Sequence, residues 1–230
     1  MIPRRRMLRV RALVRAALLL LAFLAPAPRA LAADIRAPGD TPLADILQVI
    51  VLEREVLAVD GLGGTEIRQK LEIGEHVLAS DARGKVGLVL TDRRLLAVAV
   101  RSAAWQDARF RRGEPVPDGA FLGEQVALVV TPKRALGFDG GSGNIVEASL
   151  GPRETVLAVD AAGAVGVIVT DRRALGISPF AGGFFDEKLQ IGETIESVAA
   201  TGNFATVHTS RRLLTFQALT GTWVELPLPF

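Results

Sequence analysis

The segment Thr91-Asp92-Arg93-Arg94-Leu95-Leu96 is written five times in this chain in related form. Copies begin at Thr131, Thr170 and Thr209, and a degenerate copy begins at Leu52. The steps between successive copies are 39, 40, 39 and 39 residues. A supersecondary unit repeated at such a fixed period cannot bury its apolar faces alone. The sequence therefore predicts five similar units stacked on one another.

Residues just before the Thr position are apolar in nearly every copy, as in Val165, Ile168 and Val169 before Thr170. A strand with one solvated face would alternate between apolar and polar residues, so this run predicts a strand that is covered on both faces. Four places before the Thr position the column is mostly small, which lets neighbouring sheets approach closely: Gln48, Gly87, Ala127, Gly166 and Ala205.

Three further strands complete each unit. Two follow the turn and carry a repeated Leu column, as at Leu175 and Leu189 in the fourth copy. The third precedes the apolar strand, as in Thr155–Val159, and is joined to it by Asp160–Gly163. In that linker we expect Asp to start a tight turn and Gly to take the left-handed position. Each unit is thus predicted to hold four short antiparallel strands.

Four-stranded antiparallel units repeated every forty residues resemble the blades of a β-propeller. The resemblance covers residues 43–230 and implies an all-β, five-bladed β-propeller of four-stranded antiparallel blades. The Gly-His and Trp-Asp signatures of WD40 repeats are missing, so no named family follows. The Thr-Asp-Arg-Arg-Leu hairpins also resemble those of bacterial pleckstrin-homology-like domains, but those domains end in a helix and do not repeat this unit. We expect the segment 33–42 to complete the first blade irregularly, and the alternative is an imperfect ring.

The first 32 residues are typical of an export signal. Six Arg precede an apolar run at residues 16–25, and Ala30-Leu31-Ala32 supplies a cleavage pattern of small residues. Arg4–Arg9 resembles a twin-arginine signal, and the general secretion route is the alternative. Either route predicts a periplasmic or secreted protein. The apolar run is too short to span a membrane, so no membrane-spanning segment is expected.

Removal of residues 1–32 takes away seven Arg and no acidic residue, which leaves 20 Lys and Arg against 25 Asp and Glu. An acidic domain lacks the clustered cations that bind phosphate, so nucleic acid is not an expected partner. The chain has no Cys, which excludes disulfides and thiolate chemistry. We expect a monomer.

One rim of the predicted propeller carries a repeated basic position. As a ring, these side chains would bind a small anionic ligand, and they are the candidate ligand-binding residues: Arg94, Arg134, Arg173 and Arg212. The repetition favours a structural role over such a ring. Because every unit needs the same attachment to its neighbour, each Arg would instead pair with a Glu of the connection before it, such as Glu75 or Glu193, or cover the edge of a blade.

Other candidate sites are weaker. Gly-rich loops at Asp60–Gly64 and Asp139–Asn144 lack the spacing of a calcium loop, so no metal or other cofactor is predicted. Trp105 and Trp223 share one repeat column, which favours packing over stacking on a sugar. Glu196 is the one carboxylate near the inner strands without a turn role, and one carboxylate is not a catalytic mechanism. We therefore expect a binding or scaffolding module, with a carbohydrate-binding or glycan-processing protein as the alternative.

Overall fold

The structure, a computed structural model, describes residues 46–100, 102–117 and 119–228. These residues form nineteen β-strands in five antiparallel sheets and contain no helix. Blade 1 holds β1 (Leu47–Val51), β2 (Glu55–Asp60) and β3 (Glu66–Lys70). Blade 2 holds β4 (Val77–Arg83), β5 (Val86–Thr91), β6 (Arg94–Ala99) and β7 (Gln106–Arg109). Blade 3 holds β8 (Phe121–Leu122), β9 (Val126–Val130), β10 (Arg134–Asp139) and β11 (Asn144–Ser149). Blade 4 holds β12 (Val156–Ala162), β13 (Val165–Thr170), β14 (Arg173–Ser178) and β15 (Gly183–Lys188). Blade 5 holds β16 (Ile195–Thr201), β17 (Phe204–Thr209), β18 (Arg212–Gln217) and β19 (Thr222–Pro227).

The sheets pack face to face in chain order, and the chain is an all-β, five-bladed β-propeller. Four buried apolar clusters lie one at each joint between successive blades. Both faces of β5, β6, β10 and β13 are therefore buried along their whole length. This confirms the interpretation of the continuous apolar run, because each of these strands lies between two neighbouring sheets.

Small residues at the predicted column allow the close approach. A Cβ atom on Gly87 would lie 2.6 Å from Val49 Cγ2 of blade 1, and one on Gly166 would lie 2.7 Å from Leu128 Cδ1 of blade 3. Real Cβ atoms do not come this near to a packed side chain, since interiors are already close-packed. These columns thus fix the spacing of the blades.

The predicted hairpins are confirmed with one correction. Gly84, Gly163 and Gly202 have φ of 56°, 55° and 54°, which is the left-handed conformation that Gly adopts most easily. Asp81 and Asp160, however, lie within β4 and β12 and do not start the turns. Each of these strands is seven residues long and reaches the Gly directly, so the turn needs no Asp.

Two blades depart from the four-strand pattern. In blade 3 the inner strand β8 has only two residues, because Pro115 and Pro117 stand where the other blades begin this strand and cannot donate to a ladder. Blade 1 has three strands within the described residues, and the first of them, β1, corresponds to the second strand of the other blades. The segments 1–32 and 33–42, with the predicted signal and blade completion, lie outside the described residues.

Candidate functional site

A repeated polar unit lies at each joint between blades. We call it the Thr–Glu–Arg clasp, because a Thr at the end of a second strand, an Arg at the start of a third strand and a Glu from the preceding connection meet there. The four clasps are Thr91, Glu75 and Arg94 in blade 2, Thr131, Glu114 and Arg134 in blade 3, Thr170, Glu154 and Arg173 in blade 4, and Thr209, Glu193 and Arg212 in blade 5.

The clasp of blade 3 shows the geometry. Arg134 Nε donates to Glu114 Oε1 at 3.0 Å and Arg134 Nη2 donates to Oε2 at 2.9 Å, so the pair is bidentate. The Thr131 hydroxyl donates to Glu114 Oε1 at 2.6 Å. The backbone N–H of Arg111 donates to Glu114 Oε2 at 2.8 Å. The carboxylate is therefore satisfied on both oxygens, as a buried charge requires.

Each Arg of a clasp also reaches back to the preceding blade. Nη2 of Arg134 donates to the Arg109 carbonyl at the end of β7, at 2.6 Å. The same bond recurs in the other clasps, from Arg94 to Lys70 O, from Arg173 to Ser149 O and from Arg212 to Lys188 O. One guanidinium thus joins the outer strand of one blade, the connection and the third strand of the next blade.

The local sequence positions the Glu by means of a tight turn. The N–H of each Glu donates to the carbonyl three residues earlier, as from Glu75 to Glu72 at 3.0 Å. The residue just before the Glu has positive φ in all four copies: Gly74, Gly113, Arg153 and Gly192. A left-handed residue at this position is what a type II turn needs, and Pro152 before Arg153 favours the same turn. Arg153 is the one residue without Gly's freedom here.

The electrostatics follow from this geometry. Burial alone would raise the pKa of Glu75, but hydrogen bonds from the Arg94 guanidinium, the Glu72 N–H and the Thr91 hydroxyl outweigh it and lower the pKa to about 2. Glu114 is held at a pKa of about 2 by the equivalent groups, against the same effect of burial. The pKa values of Glu154 and Glu193 are lowered in the same way.

The four arginines predicted as a ligand ring are therefore the arginines of the clasps. The side chains of Arg94, Arg134 and Arg212 are only 5–7% exposed, and that of Arg173 is 25% exposed. Each is paired with a Glu and packed on the neighbouring blade, as the structural alternative required. The role of the Thr was not predicted from the sequence, although a Thr follows each Glu by 16 or 17 residues in all four copies.

A second basic position lies outside the clasps. Arg93 Nη2 donates to Gly74 O at 2.9 Å, and Arg172 Nη2 donates to Pro152 O at 2.9 Å. Arg211 Nη1 donates to the Gln190 side chain at 3.3 Å. These side chains close the turn that carries the Glu, so the basic residues of this rim also hold the connections in place.

Both Trp residues join outer strands across a joint. Trp105 Nε1 donates to Ile67 O of blade 1 at 3.0 Å, and Trp223 Nε1 donates to Phe185 O of blade 4 at 2.9 Å. Trp105 is buried and Trp223 is partly buried against the core. Their shared repeat column thus corresponds to packing between outer strands.

The Gly-rich loops on the other rim are closed by their own Asp. Asp60 Oδ1 accepts the Leu62 N–H, and Asp139 accepts the N–H groups of Gly141 and Ser142 and the Ser142 hydroxyl. Such Asx turns need no ion. Within residues 46–100, 102–117 and 119–228, no three His, Asp or Glu side chains are grouped to hold a metal.

Three carboxylates on the inner strands are separately engaged. Glu196 Oε2 lies 3.0 Å from His208 Nδ1 on blade 5, with both side chains part-exposed. Asp160 Oδ2 accepts the Ala200 N–H of blade 5 at 2.8 Å, and Asp81 Oδ1 accepts the N–H of Ala82. The pairing of Glu196 with His208 was not predicted from the sequence. Neither residue belongs to a clasp.

The remaining joint, between blade 5 and blade 1, is different. On β17 and β18 one set of side chains, including Ala205, Val207 and Phe216, packs on blade 4, and the alternate set faces the other way. That alternate set is incompletely buried: Phe204, Thr206, His208, Leu213, Thr215 and Gln217. On the corresponding face of blade 1 the side chains of Gln48, Ile50 and Leu52 are exposed, whereas Leu57 of β2 is buried. We call these two faces together the open joint.

Three observations define the open joint. Packing comparable to that of the other joints does not connect the described strands of blade 5 with those of blade 1. A Cβ on Gly163 would collide with the Gly202 carbonyl of the next blade, whereas a Cβ on Gly202 would meet nothing within 4 Å. Blade 1 also has no clasp, since Leu52 and Glu55 stand at the Thr and Arg positions.

Backbone hydrogen bonds near the axis repeat at the four joints between successive blades. Ile46 N–H donates to Gly84 O, and the equivalent bonds run from Lys85 to Glu124 O, from Gln125 to Gly163 O and from Ala164 to Gly202 O, at 2.8–3.0 Å. The fifth donor in this series is the N–H of Asn203. Its acceptor in a closed ring would be residue 45, which lies outside the described residues.

Comparisons with known proteins give a distant likeness. No protein-family model matches the chain, and no curated protein matches it by sequence. Hsv2p of Kluyveromyces lactis is 11% identical, with 81% of this chain and 82% of that chain covered and a TM-score of 0.33. Prp20p of Saccharomyces cerevisiae is 12% identical, with 74% and 56% covered and a TM-score of 0.38.

A third structure, PorZ of Porphyromonas gingivalis, is 13% identical, with 84% of this chain and 27% of that chain covered and a TM-score of 0.39. This chain thus spans little more than half of Prp20p and about a quarter of PorZ. No function carries over at such similarity, because one fold hosts many functions. The propeller assignment rests on the five sheets and their joints.

Proposed function

We propose that this protein is an exported, non-catalytic binding or scaffolding module whose binding surface is the open joint. The observation that carries the proposal is the exposure of apolar side chains on both described faces of this joint. Phe204 is 50% exposed and Leu52 is 44% exposed. Their counterparts in the fourth unit, Val165 and Thr170, are fully buried. Apolar surface left uncovered in this way is typical of a protein-binding site.

The charged side chains of the clasps support a non-catalytic role. The clasps bind their buried carboxylates to arginines, so these groups hold the blades together and are not free to react. The described part of the chain contains no helix long and apolar enough to cross a bilayer. Export rests on the sequence of residues 1–32, and the protein partner would accordingly be periplasmic or extracellular.

Photo-crosslinking in the producing cells tests the proposal. A photoreactive phenylalanine analogue at Phe204 should give covalent adducts with a partner protein on illumination. The same analogue at Ile191, which is 98% exposed in the connection before blade 5, is the matched control and should give none. Equal adduct yields at both positions, or none at Phe204, would refute the open joint as the binding surface.

Anion binding by Arg94, Arg134, Arg173 and Arg212 stays a prediction from the sequence. A ligand that binds only the folded state at a hundred times its dissociation constant adds about 2.7 kcal/mol to stability. A melting-temperature screen with sulfate and polyphosphate measures this directly. Because Arg173 is the most exposed of the four, Arg173→Gln should remove any shift first.

Glycan processing is the second candidate, favoured by the part-exposed Glu196–His208 pair. A glycosidase of the usual kind needs two carboxylates on opposite sides of the scissile bond. Glu196→Gln therefore tests the candidate: hydrolysis of a glycan substrate that the substitution leaves unchanged would eliminate Glu196 as its catalytic group.

A further inference from the structure

Among the described residues, no strand covers the inner edge of β1 as an inner strand does in the other blades. In blades 2, 4 and 5 the second strand pairs on one side with an inner strand and on the other with the third strand. β1 pairs with β2 alone. No strand in the described part of the chain lies along its other edge.

The alternating hydrogen bonds between β1 and β2 show which backbone groups of β1 point to the inner edge. Leu52 N–H donates to Glu55 O and Gly61 N–H donates to Ile46 O, so the even-numbered residues of this segment make the bonds to β2. The N–H and C=O groups of Leu47, Val49 and Val51 therefore point to the inner edge. In blade 4 the equivalent residues pair with β12, as in Asp160 with Val167.

A cavity of about 420 Å³ lies along this edge. It is lined by Leu47, Gln48 and Val49 of β1 and by Ser80, Asp81 and Ala82 of β4. β4 is the inner strand of blade 2, so the cavity occupies the place of an inner strand of blade 1. We call the β1 edge together with this cavity the strand slot. The sequence Leu47–Val51 has none of the Lys or Pro residues that protect exposed edges.

We infer that the strand slot binds an extended segment of another polypeptide by adding it as the fourth strand of blade 1. The inference rests on the proposed function, and it specifies the partner as an extended polypeptide segment. Strand addition supplies main-chain hydrogen bonds to the three odd residues of β1 and covers their edge. It also extends the series of inner strands β4, β8, β12 and β16 by one member.

The chain's own inner strands indicate what the slot accepts. At equivalent positions they read Val77-Leu78-Ala79-Ser80-Asp81-Ala82, Val156-Leu157-Ala158-Val159-Asp160-Ala161 and Ile195-Glu196-Ser197-Val198-Ala199-Ala200. The shared features are a β-branched residue first, a small residue third and Ala sixth. The partner segment is therefore an extended run with small residues at the third and sixth positions.

The chain's own segment before β1 fits this pattern poorly. In the register of blade 4, Pro42 would lie opposite Val49 at a hydrogen-bonded position. Proline has no N–H to donate there, and Pro38 lies only four residues earlier. A partner without proline at this position would form all of the bonds, which favours a segment from another protein.

A peptide titration tests the inference. The probe is the sequence of Thr155–Gly163, TVLAVDAAG, labelled with a fluorophore, and its matched control carries Pro in place of Asp160. The exported protein should bind the probe at least about tenfold more tightly than the control, since the control loses a main-chain donor. Val49→Pro in the protein should weaken binding of the probe similarly, and Ile191→Gln should not.

Disulfide trapping tests the register of the peptide on β1. It remains informative if the Val49→Pro variant does not fold. The protein has no Cys, so Gln48→Cys introduces a single thiol. In the register Ala161↔Gly166 of blade 4, a peptide with Cys for Ala161 should lie opposite position 48. It should be trapped at least about tenfold faster than a peptide with Cys for Val159, since exchange rates depend on access.

The other occupants are distinguishable outcomes. A Thr41→Cys, Ile50→Cys variant that closes its own disulfide while the probe fails to bind would assign the slot to the chain's own segment. Dimers trapped through Gln48→Cys would assign it to a second copy. Either result overturns the inference, as does equal binding of probe and control. Adducts at Phe204 on blade 5 would still stand, so the proposed function can survive the loss of the strand slot.

Discussion

The joint between blades 4 and 5 and the open joint between blades 5 and 1 use the same strand columns with different side chains. Gly176 of blade 4 faces Phe216 of blade 5, whereas its counterpart in blade 5 is Thr215, which faces the open joint. Val169 is buried between blades 4 and 5, and its counterpart is His208. The β-strand pattern is therefore common to both, and at these two columns the small Gly and the apolar Val of the closed joint are replaced by polar residues at the open joint.

The closed joints and the open joint also differ in their polar groups. Every closed joint has a clasp whose arginine bonds to the outer strand of the preceding blade, and blade 1 has none. A buried ion pair is weak support for stability by itself, because desolvation offsets the attraction. However, the charges of the clasp are satisfied only when three segments of the chain meet in the correct geometry. The clasp thus specifies how one blade sits on the next.

Removal of one partner in a clasp should give the largest effect on this comparison. Arg134→Ala leaves the Glu114 carboxylate buried without its counter-ion, which costs about 3–5 kcal/mol of unfolding free energy. Urea unfolding followed by fluorescence measures it. Glu55→Ala, at the same repeat position in blade 1, is the matched control and should change stability by less than about 0.5 kcal/mol.

The double variant Arg134→Ala, Glu114→Gln sharpens the test. It removes the uncompensated charge, so it should be more stable than Arg134→Ala alone. If Arg134→Ala costs no more than Glu55→Ala, the clasp does not distinguish closed joints from the open one.

Acid should weaken the closed joints next. The folded pKa of about 2 for Glu75 and Glu114 lies below the ordinary value of 4.5. The stabilisation is therefore present above pH 4.5 and is lost as pH falls toward 2. Between pH 7 and pH 3 each group should cost roughly 2 kcal/mol. Urea unfolding at both pH values measures this loss. The variant Glu114→Gln should show a shallower pH dependence, and a slope equal to that of the wild type would contradict the assignment.

Substitutions at the strand column of Gly176 should destabilise a closed joint more than the open joint, by less than loss of a clasp partner or acid does. A Cβ on Gly176 would lie 2.5 Å from Cγ of the buried Phe216 ring. Gly176→Ala should therefore cost about 1–3 kcal/mol through overpacking. Thr215→Ala at the same column in blade 5 faces the open joint and should cost less than about 0.5 kcal/mol. Thermal or urea unfolding of the two variants decides, and equal losses would mean that the open joint is packed in solution.

Much of the fold could be predicted from the sequence because repetition converts single residues into columns. The apolar column before Thr170 and the small column at Gly166 indicated buried strands and close sheets, and both are confirmed. The pairing of Glu with the clasp arginines was the interpretation that the repetition favoured, but the part of the Thr was not foreseen, since a 16-residue spacing does not show that the residues converge. The Glu196–His208 pair could not be predicted, because it depends on two strands of one blade that carry no repeated signal at these positions.

The smallest effect concerns the turn that presents the clasp carboxylate. Three of the four turns have Gly before the Glu, and blade 4 has Arg153 at φ 62°. A side chain in the left-handed region costs about 1–2 kcal/mol, and Gly recovers this strain but loses some entropy on folding.

Arg153 is exposed and its side chain has no hydrogen bond or ion pair in the described structure. Arg153→Gly should therefore stabilise the protein by about 0.5–1 kcal/mol. The mirror variant Gly192→Arg in blade 5 should destabilise it by a similar amount, and thermal melts of both measure the pair. Destabilisation by Arg153→Gly would show that the Arg side chain contributes to the joint between blades 3 and 4, and the turn would then differ from its three counterparts in more than its backbone.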